Sequence, residues 1–303
     1  MNFSKISIQE RFKKLKHPGK KVRMVLDTDT YNEVDDQFAL AYALKSPEAM
    51  QVEAIYAAPF HNNRSSGPED GMEKSYQEII NILNMIDVST EGFVYKGSRG
   101  YLEDGKTPQE SKAARNLIKK AKTATEDEPL YVVSIGAITN VASAILMEPD
   151  IISKIVVVWL GGHAHYWADN NAFNLFQDIY ASRLIFDCGV PLVHIPCKGV
   201  SSHLITTAPE LEYYLKGKSK IGTYLTDMVS NETKNFYAGS RIIWDISTIA
   251  WLINPDWIPS NIVLSPIIND DYTWSYDDSR HFIRCATYAN RDKIFADLFN
   301  KLT

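Results

Sequence analysis

The sequence predicts an α/β protein with a mainly parallel central sheet that is covered by helices on both faces. Short runs rich in β-branched residues alternate with helical segments along the first two thirds of the chain. These runs are almost continuously apolar, which is typical of strands buried on both faces. The strand–helix–strand order favours parallel pairing, because each crossover helix returns the chain to the end of the sheet at which the previous strand began.

The first element is predicted at the N-terminus, where basic residues cluster in "RFKKLKHPGKKVR". We expect a short amphipathic helix with Ile8, Phe12 and Leu15 facing inward and its lysines in solvent. This segment belongs to a short N-terminal extension, residues 1–20, of a single domain that spans residues 1–303. A phosphate-binding arm is disfavoured, since the basic cluster is short and isolated.

The following elements alternate between strands and helices, and turn residues mark several of their ends. The first core helix ends before Pro47, another begins at Thr107 and Pro108, and a third stops at Gly189. Residues 208–255 are predicted to be largely helical, and the tail is predicted to be a strand followed by a closing helix. The predicted strands are "VRMVLDTD", "MQVEAIYAAPF", "EGFVYKG", "PLYVVSIG", "IISKIVVVWLGG" and "PLVHIP". The helices between them are "DDQFALAYALKS", "GMEKSYQEIINILNMI", "TPQESKAARNLIKKAKT", "AITNVASAILME" and "QDIYASRLIFDCG".

The composition excludes several classes of protein. Of the 303 residues, 45% are hydrophobic and 23% charged, and the formal net charge of −5 gives no reason to expect nucleic-acid binding. The three cysteines form no CxxC pair, which argues against a disulfide scaffold and a structural zinc site. No apolar run reaches ~18 residues and the N-terminus lacks the apolar region of a signal peptide. We therefore expect no membrane span and a cytoplasmic location.

An acidic turn stands out in "VLDTDTYNEVDDQFALAYAL", at the end of the first core strand. It contains Asp27, Asp29, Glu33, Asp35 and Asp36. Carboxylates this close repel one another, and a hard divalent cation bound through oxygen relieves that repulsion most simply. The alternative is that Asp35 or Asp36 only caps the following helix, but capping leaves the two aspartates at the strand end unexplained.

The spacing excludes two common metal and phosphate motifs. An EF-hand loop that starts at Asp27 needs an oxygen ligand, a glycine and a glutamate where this chain has Tyr31, Asn32 and Phe38. The chain also contains no GxxxxGK[ST] loop, so a P-loop is absent.

The acidic turn resembles the strand-one signature DxDxxxDD of the inosine-uridine-preferring nucleoside hydrolases. Five residues, "TYNEV", stand here in place of three, so this loop is two residues longer. Further segments match in the same order, from about residue 22 to 300: "AIYAAPFHNN", "FVYKGSRGYL", "VVSIGAITNVASAI", "IVVVWLGGHA", "AFNLFQDIYAS", "IGTYLTDM" and "WDISTIAWL". The resemblance implies a Rossmann-like nucleoside hydrolase fold.

The resemblance also implies Ca²⁺-dependent hydrolysis of the N-glycosidic bond of a ribonucleoside or related N-riboside, in a homodimer or homotetramer. Asp29 would be the general base, Asp35 and Asn174 would bind the sugar, and Asp27 would orient the neighbouring ligands. The implied Ca²⁺ ligands are Asp29, Asp36, Asp245 and the backbone carbonyl of Ile135.

Two positions depart from the family pattern, and both concern substrate recognition. Trp244 stands where the family has a histidine that assists the leaving base, and Ala172 stands where a glutamate contacts the 5-hydroxyl. We therefore expect an unusual or 5-modified substrate. Glu33 or Asn170 is a candidate for part of the lost sugar contact, and Trp244 is a candidate for stacking on the base.

Histidines at strand ends are candidates for the missing acid. His163 is preferred, and His61 and His165 are weaker candidates, each with a purely structural alternative. In the loop after the second strand, Asn62 and Asn63 are expected to contact substrate.

Two rival functions remain open. The strand "VLDTDT" also resembles the opening of haloacid-dehalogenase-type Mg²⁺ phosphatases, for which Asp270 and Asp271 would be the late acidic pair. A non-catalytic nucleoside- or ribose-binding protein is the other alternative, because the family's histidine and glutamate are absent.

Overall fold

The structure, a computed structural model, describes residue 3 and residues 5–303. Its strands are β1 (Val22–Thr28), β2 (Met50–Ala57), β3 (Val94–Lys96), β4 (Leu130–Ser134), β5 (Ile155–Leu160), β6 (Leu192–Ile195), β7 (Ile205–Thr206), β8 (Arg241–Ile242), β9 (Ser260–Leu264), β10 (Ile267–Ile268), β11 (Trp274–Ser275) and β12 (Phe282–Ala286). Its α-helices are α1 (Ile8–Leu15), α2 (Asp36–Leu44), α3 (Pro68–Met85), α4 (Lys112–Lys122), α5 (Thr139–Met147), α6 (Phe173–Gln177), α7 (Ile179–Asp187), α8 (Ala208–Tyr214), α9 (Lys220–Thr233), α10 (Ile246–Ile253) and α11 (Arg291–Leu302).

Eight strands form the central sheet in the order β3-β2-β1-β4-β5-β6-β12-β9. All neighbouring pairs are parallel except β12 and β9, which are antiparallel at one edge. The predicted α/β class with a mainly parallel sheet is confirmed. No helix in the described ranges combines the length and apolarity needed to cross a membrane.

The core lies in two layers, one on each face of this sheet. Along β1, Met24 and Leu26 belong to one buried cluster and Val25 to the other, because successive side chains point to opposite faces. Helices cover both faces, so every residue from Met24 to Thr28 is buried. This explains why the strands are continuous apolar runs rather than alternating ones.

The strand order reverses direction between β1 and β4, and this point places the site. β1 pairs with β2 on one side and with β4 on the other. The chain leaves the carboxyl ends of β1 and β4 in opposite directions, which opens a crevice where ligands bind in this kind of sheet. Asp29 follows β1 and Ile135 follows β4, so both lie at the crevice.

Two local predictions are wrong. Helix α4 begins at Lys112 rather than at Thr107 and Pro108, because the Ser111 hydroxyl accepts a hydrogen bond from Ala114 N and caps the helix there. Helix α1 exists, but its inward face differs from the predicted one.

In α1, Leu15 is fully buried as expected, whereas Ile8 is 51% and Phe12 37% exposed. The helix instead buries Arg11 and Lys14, so Lys14 is not in solvent as expected. The Arg11 guanidinium donates to the carbonyl of Gly189 at 2.8 Å. The buried face of α1 therefore depends on a long polar side chain with an acceptor at its tip, which apolar periodicity does not predict.

Candidate active site

A cavity of about 190 Å³ opens at the carboxyl ends of β1, β4, β5 and β6. The acidic turn contributes polar side chains to it, and the other lining residues are both polar and apolar. Its lining residues are Asn32, Glu33, Asp35, Asp36, Ile135, Leu160, His163, Asn171, Ala172, Phe173, Asn174, Cys197, Lys198, Trp244 and Asp245.

Three carboxylates converge at this cavity from two helix starts. Asp35 and Asp36 begin α2, Asp245 precedes α10, and one oxygen of each lies within 4.8 Å of the others. Neither Asp35 nor Asp245 makes a side-chain capping hydrogen bond. The capping alternative therefore does not account for these carboxylates.

Burial and mutual repulsion make this cluster electrostatically costly without a cation. Burial, with repulsion from Glu33 and Asp36, raises the pKa of Asp35 well above its usual range. Burial raises the pKa of Asp36 to about 7, although Thr28 Oγ1 donates a hydrogen bond to it. Burial and the charges of Asp35 and Asp36 raise the pKa of Asp245.

Asp29 is the most exceptional residue of the site. It is fully buried, and neither of its carboxylate oxygens has a hydrogen-bond partner. Burial and repulsion from Asp36 and Asp35 raise its pKa well above the usual range. Orphaned buried oxygens are rare in folded proteins. They are free to bind a hard cation, for which Asp29, Asp36 and Asp245 would all be oxygen donors.

The turn after β4 is shaped to admit the Asp29 carboxylate. A Cβ at Gly136 would lie 2.8 Å from Asp29 Oδ1 and 2.9 Å from its Cγ. Any side chain at Gly136 would therefore displace the carboxylate. This close approach explains why the segment "GAITN" begins with glycine.

Asp27 lies behind the cluster and is fully satisfied. Its carboxylate accepts hydrogen bonds from Asn140 Nδ2 at 2.8 Å and Ser134 Oγ at 3.0 Å. Burial raises its pKa to about 7. Asn140 also accepts from the backbone N–H of Ser98, so it joins α5 to the end of β1 and to the loop after β3. Sequence reasoning missed Asn140, which is 113 positions from Asp27.

Asn174 holds the floor of the cavity together. Its Nδ2 donates to the carbonyl oxygens of Ile135 at 2.8 Å and Leu160 at 2.9 Å. It thus links the ends of β4 and β5 and orients the Ile135 carbonyl, while Asn174 itself lines the cavity.

His163 and Trp244 line the cavity next to the carboxylates. Burial and the charge of Lys198 lower the pKa of His163 to about 4, so its imidazole is neutral at pH 7. His163 Nδ1 accepts from Lys198 N at 3.4 Å, which assigns the ring proton to Nε2. Nε2 is buried without a hydrogen-bond partner. Asn170 Oδ1 fixes the backbone by accepting from His163 N.

Comparison with known proteins decides the family. The sequence profile of the inosine-uridine preferring nucleoside hydrolases matches residues 24–294. The chain belongs to this family. A pyrimidine-specific ribonucleoside hydrolase, RihA, of Salmonella paratyphi A is 26% identical over 262 residues, which are 77% of this chain and 80% of the relative. RihA of Escherichia coli O9:H4 is 27% identical over the same length and coverage.

Solved structures support the same fold. The purine-preferring ribonucleoside hydrolase of Gardnerella vaginalis superposes with a TM-score of 0.75 at 20% identity, covering 92% of this chain and 98% of that structure. The protein is thus an N-ribosyl hydrolase by family, and the resemblance noted in the sequence is confirmed.

Within this nucleoside hydrolase, the longer acidic loop is held by side chains from the loop after β2. Asn62 Nδ2 donates to Asn32 Oδ1 at 2.6 Å, and Arg64 Nη1 donates to the Glu33 carbonyl at 3.1 Å. Asn32 and Glu33 line the cavity, whereas Asn62 lies behind them. Asn63 is exposed and does not line the cavity.

The weaker histidine candidates lie elsewhere. His61 is exposed outside the cavity lining, and His165 contacts His194 instead of the cavity. Asn171, Phe173, Cys197 and Lys198 line the cavity but were not predicted. Cys197 and Lys198 follow the end of β6. Their position could have been predicted, because ligands bind at the carboxyl ends of the strands in a parallel sheet.

The phosphatase alternative is not supported. Asp270 is bound by Arg183 at 2.5 Å with its side chain 97% exposed, and Asp271 accepts from the Thr273 hydroxyl in an exposed turn. Neither lines the cavity, and the family match assigns the acidic turn to nucleoside hydrolases.

Proposed function

We propose that this protein catalyses the Ca²⁺-dependent hydrolysis of the N-glycosidic bond of a ribonucleoside or related N-riboside, giving ribose and free base. The observation that carries the proposal is Asp29, a buried carboxylate whose two oxygens have no hydrogen-bond partner. It lies near Asp36 and Asp245, at the point between β1 and β4 where the strand order reverses. An all-oxygen donor set of this kind suits Ca²⁺.

Asp29, Asp36, Asp245 and the Ile135 carbonyl would hold the cation. When bound, it supplies an electrophilic anchor for the ribose hydroxyls and lowers the pKa of the attacking water. Asn174 already orients the Ile135 carbonyl, and Asp27 supports the end of β1 through Asn140 and Ser134.

Asp29 takes the proton of the attacking water as general base. Asp35 accepts a hydrogen bond from the ribose 2-hydroxyl, and Asn174 contacts the sugar from the cavity floor. N-glycoside cleavage passes through a sugar with oxocarbenium character, as O-glycoside cleavage does. The surrounding carboxylates stabilise that developing positive charge.

His163 and Trp244 act on the leaving base. The neutral His163 ring presents Nε2–H as a hydrogen-bond donor, which stabilises negative charge as it develops on the departing base. Trp244 is half-buried at the cavity wall and supplies an aromatic surface for stacking.

The residues that line the cavity are the basis for our proposal that the substrate is modified at the 5-position of the sugar. Ala172 offers no polar contact there, while the cationic Lys198 lines the same cavity. We propose that an anionic 5-substituent, such as a phosphate, is favoured over a free hydroxyl. Glu33 lines the cavity and remains a candidate for contacts to neutral groups, whereas Asn170 is fully buried outside the cavity lining and holds the backbone N–H of His163.

The assembly and location of the whole chain follow the pattern of its family resemblance. We propose that it acts as one domain in a homodimer or homotetramer in the cytoplasm, with a small-molecule nucleoside and no nucleic acid as partner. Light scattering of the purified protein tests the assembly, and a monomer would contradict it.

The activity is tested by ribose release from purine and pyrimidine ribonucleosides and their 5-phosphates. We expect release by the wild type with Ca²⁺ and a loss of about 10²–10⁴-fold or more in Asp29→Asn, because the base is removed. Asp29→Asn removes a charge and no hydrogen bond, so it is expected to fold.

Full activity of Asp29→Asn would exclude the assigned role. If the wild type releases nothing across this panel but binds ribonucleosides with Ca²⁺, the non-catalytic binding alternative is correct. Calcium content measured on the same samples distinguishes loss of the base from loss of the cation.

A further inference from the structure

A second cluster of metal-ligating side chains lies outside the carboxylate site. His194 lies in β6 and Cys285 in β12, where they are register partners in the parallel ladder. His165 reaches them from the loop after β5. The closest ligand atoms are His165 Nε2 and His194 Nδ1 at 3.1 Å, with Cys285 Sγ 3.8 Å and 3.7 Å from them.

We propose that His165, His194 and Cys285 form a second metal site that takes Zn²⁺ through two imidazole nitrogens and one thiolate. A tetrahedral zinc centre has Zn–N of about 2.0–2.1 Å and Zn–S of about 2.3 Å, which separates two nitrogens by about 3.3 Å and nitrogen from sulfur by about 3.6 Å. The three separations in the cluster match these values within a few tenths of an ångström.

The hydrogen bonds around the cluster leave the correct lone pairs available. His194 Nε2 lies 2.5 Å from the Gly161 carbonyl, so it carries the ring proton and Nδ1 has its lone pair towards the cluster. Burial lowers the pKa of His165 to about 4, so this ring is neutral near pH 7. The Tyr276 hydroxyl donates to the His165 carbonyl at 2.9 Å and holds its loop.

The thiol must lose its proton when the metal binds. Burial raises the pKa of Cys285 to about 12, so the metal-free side chain is a neutral thiol. Zn²⁺ replaces that proton on sulfur, and the proton leaves to bulk water, which makes binding stronger as the pH rises. His165 is only partly buried, so the fourth ligand is a water on its solvent side.

The donor set separates this site from the carboxylate site. Nitrogen and sulfur ligands select borderline metals such as Zn²⁺, whereas the all-oxygen cluster selects Ca²⁺. The aromatic rings of Trp274 and Phe186 pack edge-on against His194, with centroids 5.9 Å and 5.2 Å away, and form an apolar wall. A bound metal would tie the loop that carries His163 to β6 and β12.

Cobalt(II) is the probe, because four-coordinate thiolate-bound Co²⁺ gives a sulfur-to-metal charge-transfer band and strong visible bands. Metal-free protein is titrated with Co²⁺ in excess Ca²⁺, which fills the carboxylate site. We expect one equivalent to bind with the charge-transfer band and to be displaced by Zn²⁺. The band is lost in Cys285→Ser and weakened in His165→Ala.

The controls use matched residues outside the cluster. Cys188→Ser and Cys197→Ser test the other two cysteines, and His203→Ala tests an exposed histidine. These variants keep the band if the site is correct. Circular dichroism checks folding, and His165→Ala tests the site even if Cys285→Ser does not fold, because His165 lies in a loop.

Two results would overturn the proposal. One is the absence of a thiolate band in the wild type, which leaves a hydrogen bond between His165 and His194 as the full account of the cluster. The other is a band that persists in Cys285→Ser or disappears in Cys197→Ser, which assigns the thiolate to the carboxylate cavity that Cys197 lines.

Discussion

At the residue scale, His163 shows how burial fixes the chemistry available to a side chain. A histidine with a pKa near 4 is not a useful general acid at neutral pH, since almost none of it is protonated. The same neutral ring is a good hydrogen-bond donor through Nε2, because Nδ1 accepts from Lys198 N. In the proposed reaction, His163 would therefore stabilise the departing base rather than protonate it.

The substitution His163→Phe tests this role by its dependence on the leaving group. We expect kcat for a ribonucleoside to fall about 10²–10³-fold, as when one preorganised hydrogen-bond donor is removed, while kcat for p-nitrophenyl riboside, whose leaving group needs no assistance, changes little. His61→Phe is the matched control, because His61 is exposed outside the cavity lining. Equal losses on both substrates would assign His163 to positioning the loop instead.

Lys198 carries the prediction about the 5-position. In Lys198→Met we expect KM for a riboside 5-phosphate to rise by about tenfold or more, since a charge-assisted hydrogen bond contributes about 1.5–3 kcal/mol. KM for the unmodified riboside should stay nearly constant. The measurement is a pair of steady-state titrations, with Lys216→Met as an exposed control. Parallel changes for both substrates would exclude 5-phosphate recognition.

At the element scale, the turn between β4 and α5 controls the position of Asp29. Gly136→Ala would place a Cβ 2.8 Å from Asp29 Oδ1, closer than real Cβ contacts allow. We expect this variant to fold but to lose most of its Ca²⁺ affinity and its turnover. Calorimetric Ca²⁺ titration and ribose release provide the two measurements.

Gly100→Ala is the matched control for this prediction, because a Cβ there meets nothing within 4 Å. It should bind Ca²⁺ and turn over as the wild type does. A Gly136→Ala variant with unchanged Ca²⁺ affinity would show that the Asp29 carboxylate moves aside without cost.

Buried parallel strands are the elements that the sequence predicts well, and helix starts are predicted less well. Buried parallel strands such as β4 and β5 are apolar on both faces, so their composition alone identifies them. The start of α4 was misplaced because Thr107 and Pro108 imitate a helix start, whereas the cap is made by Ser111. Capping depends on which hydroxyl reaches a free N–H, and that is a matter of geometry rather than of residue type.

At the scale of the whole molecule, a site residue can be predicted from the sequence when the other site residues lie close to it along the chain. Asp29, Asp35 and Asp36 are neighbours in sequence, so their charge density was visible at once. Asp245 was found only through the family resemblance, because no local pattern marks it. His165 and Cys285 are 120 positions apart, and only the pairing of β12 with β6 brings Cys285 next to His194.

The carboxylates also set how the stability of the whole protein depends on pH. Without a cation, burial raises the pKa of Asp27 and Asp36 to about 7, against ~3.9 in the unfolded chain. A carboxyl with a raised folded-state pKa contributes its full stability below the unfolded pKa. That contribution is lost as the pH rises through the folded pKa, so the metal-free protein is less stable at about pH 8 than at about pH 5.5.

Metal removal should therefore have a pH-dependent effect on the melting temperature. The proposed Ca²⁺ would compensate the charges of Asp29, Asp36 and Asp245 at high pH, whereas protons do so at low pH. Ca²⁺ is removed with EGTA at about pH 8 and the protein is then exchanged into Ca²⁺-free buffer at each pH. We expect this removal to lower Tm strongly at about pH 8 and weakly at about pH 5.5, as measured by differential scanning fluorimetry. In Asp29→Asn one repelling charge is gone, so the EGTA effect at the higher pH should shrink. An equal loss of Tm at both pH values would mean that repulsion among these carboxylates does not limit the stability of the metal-free fold.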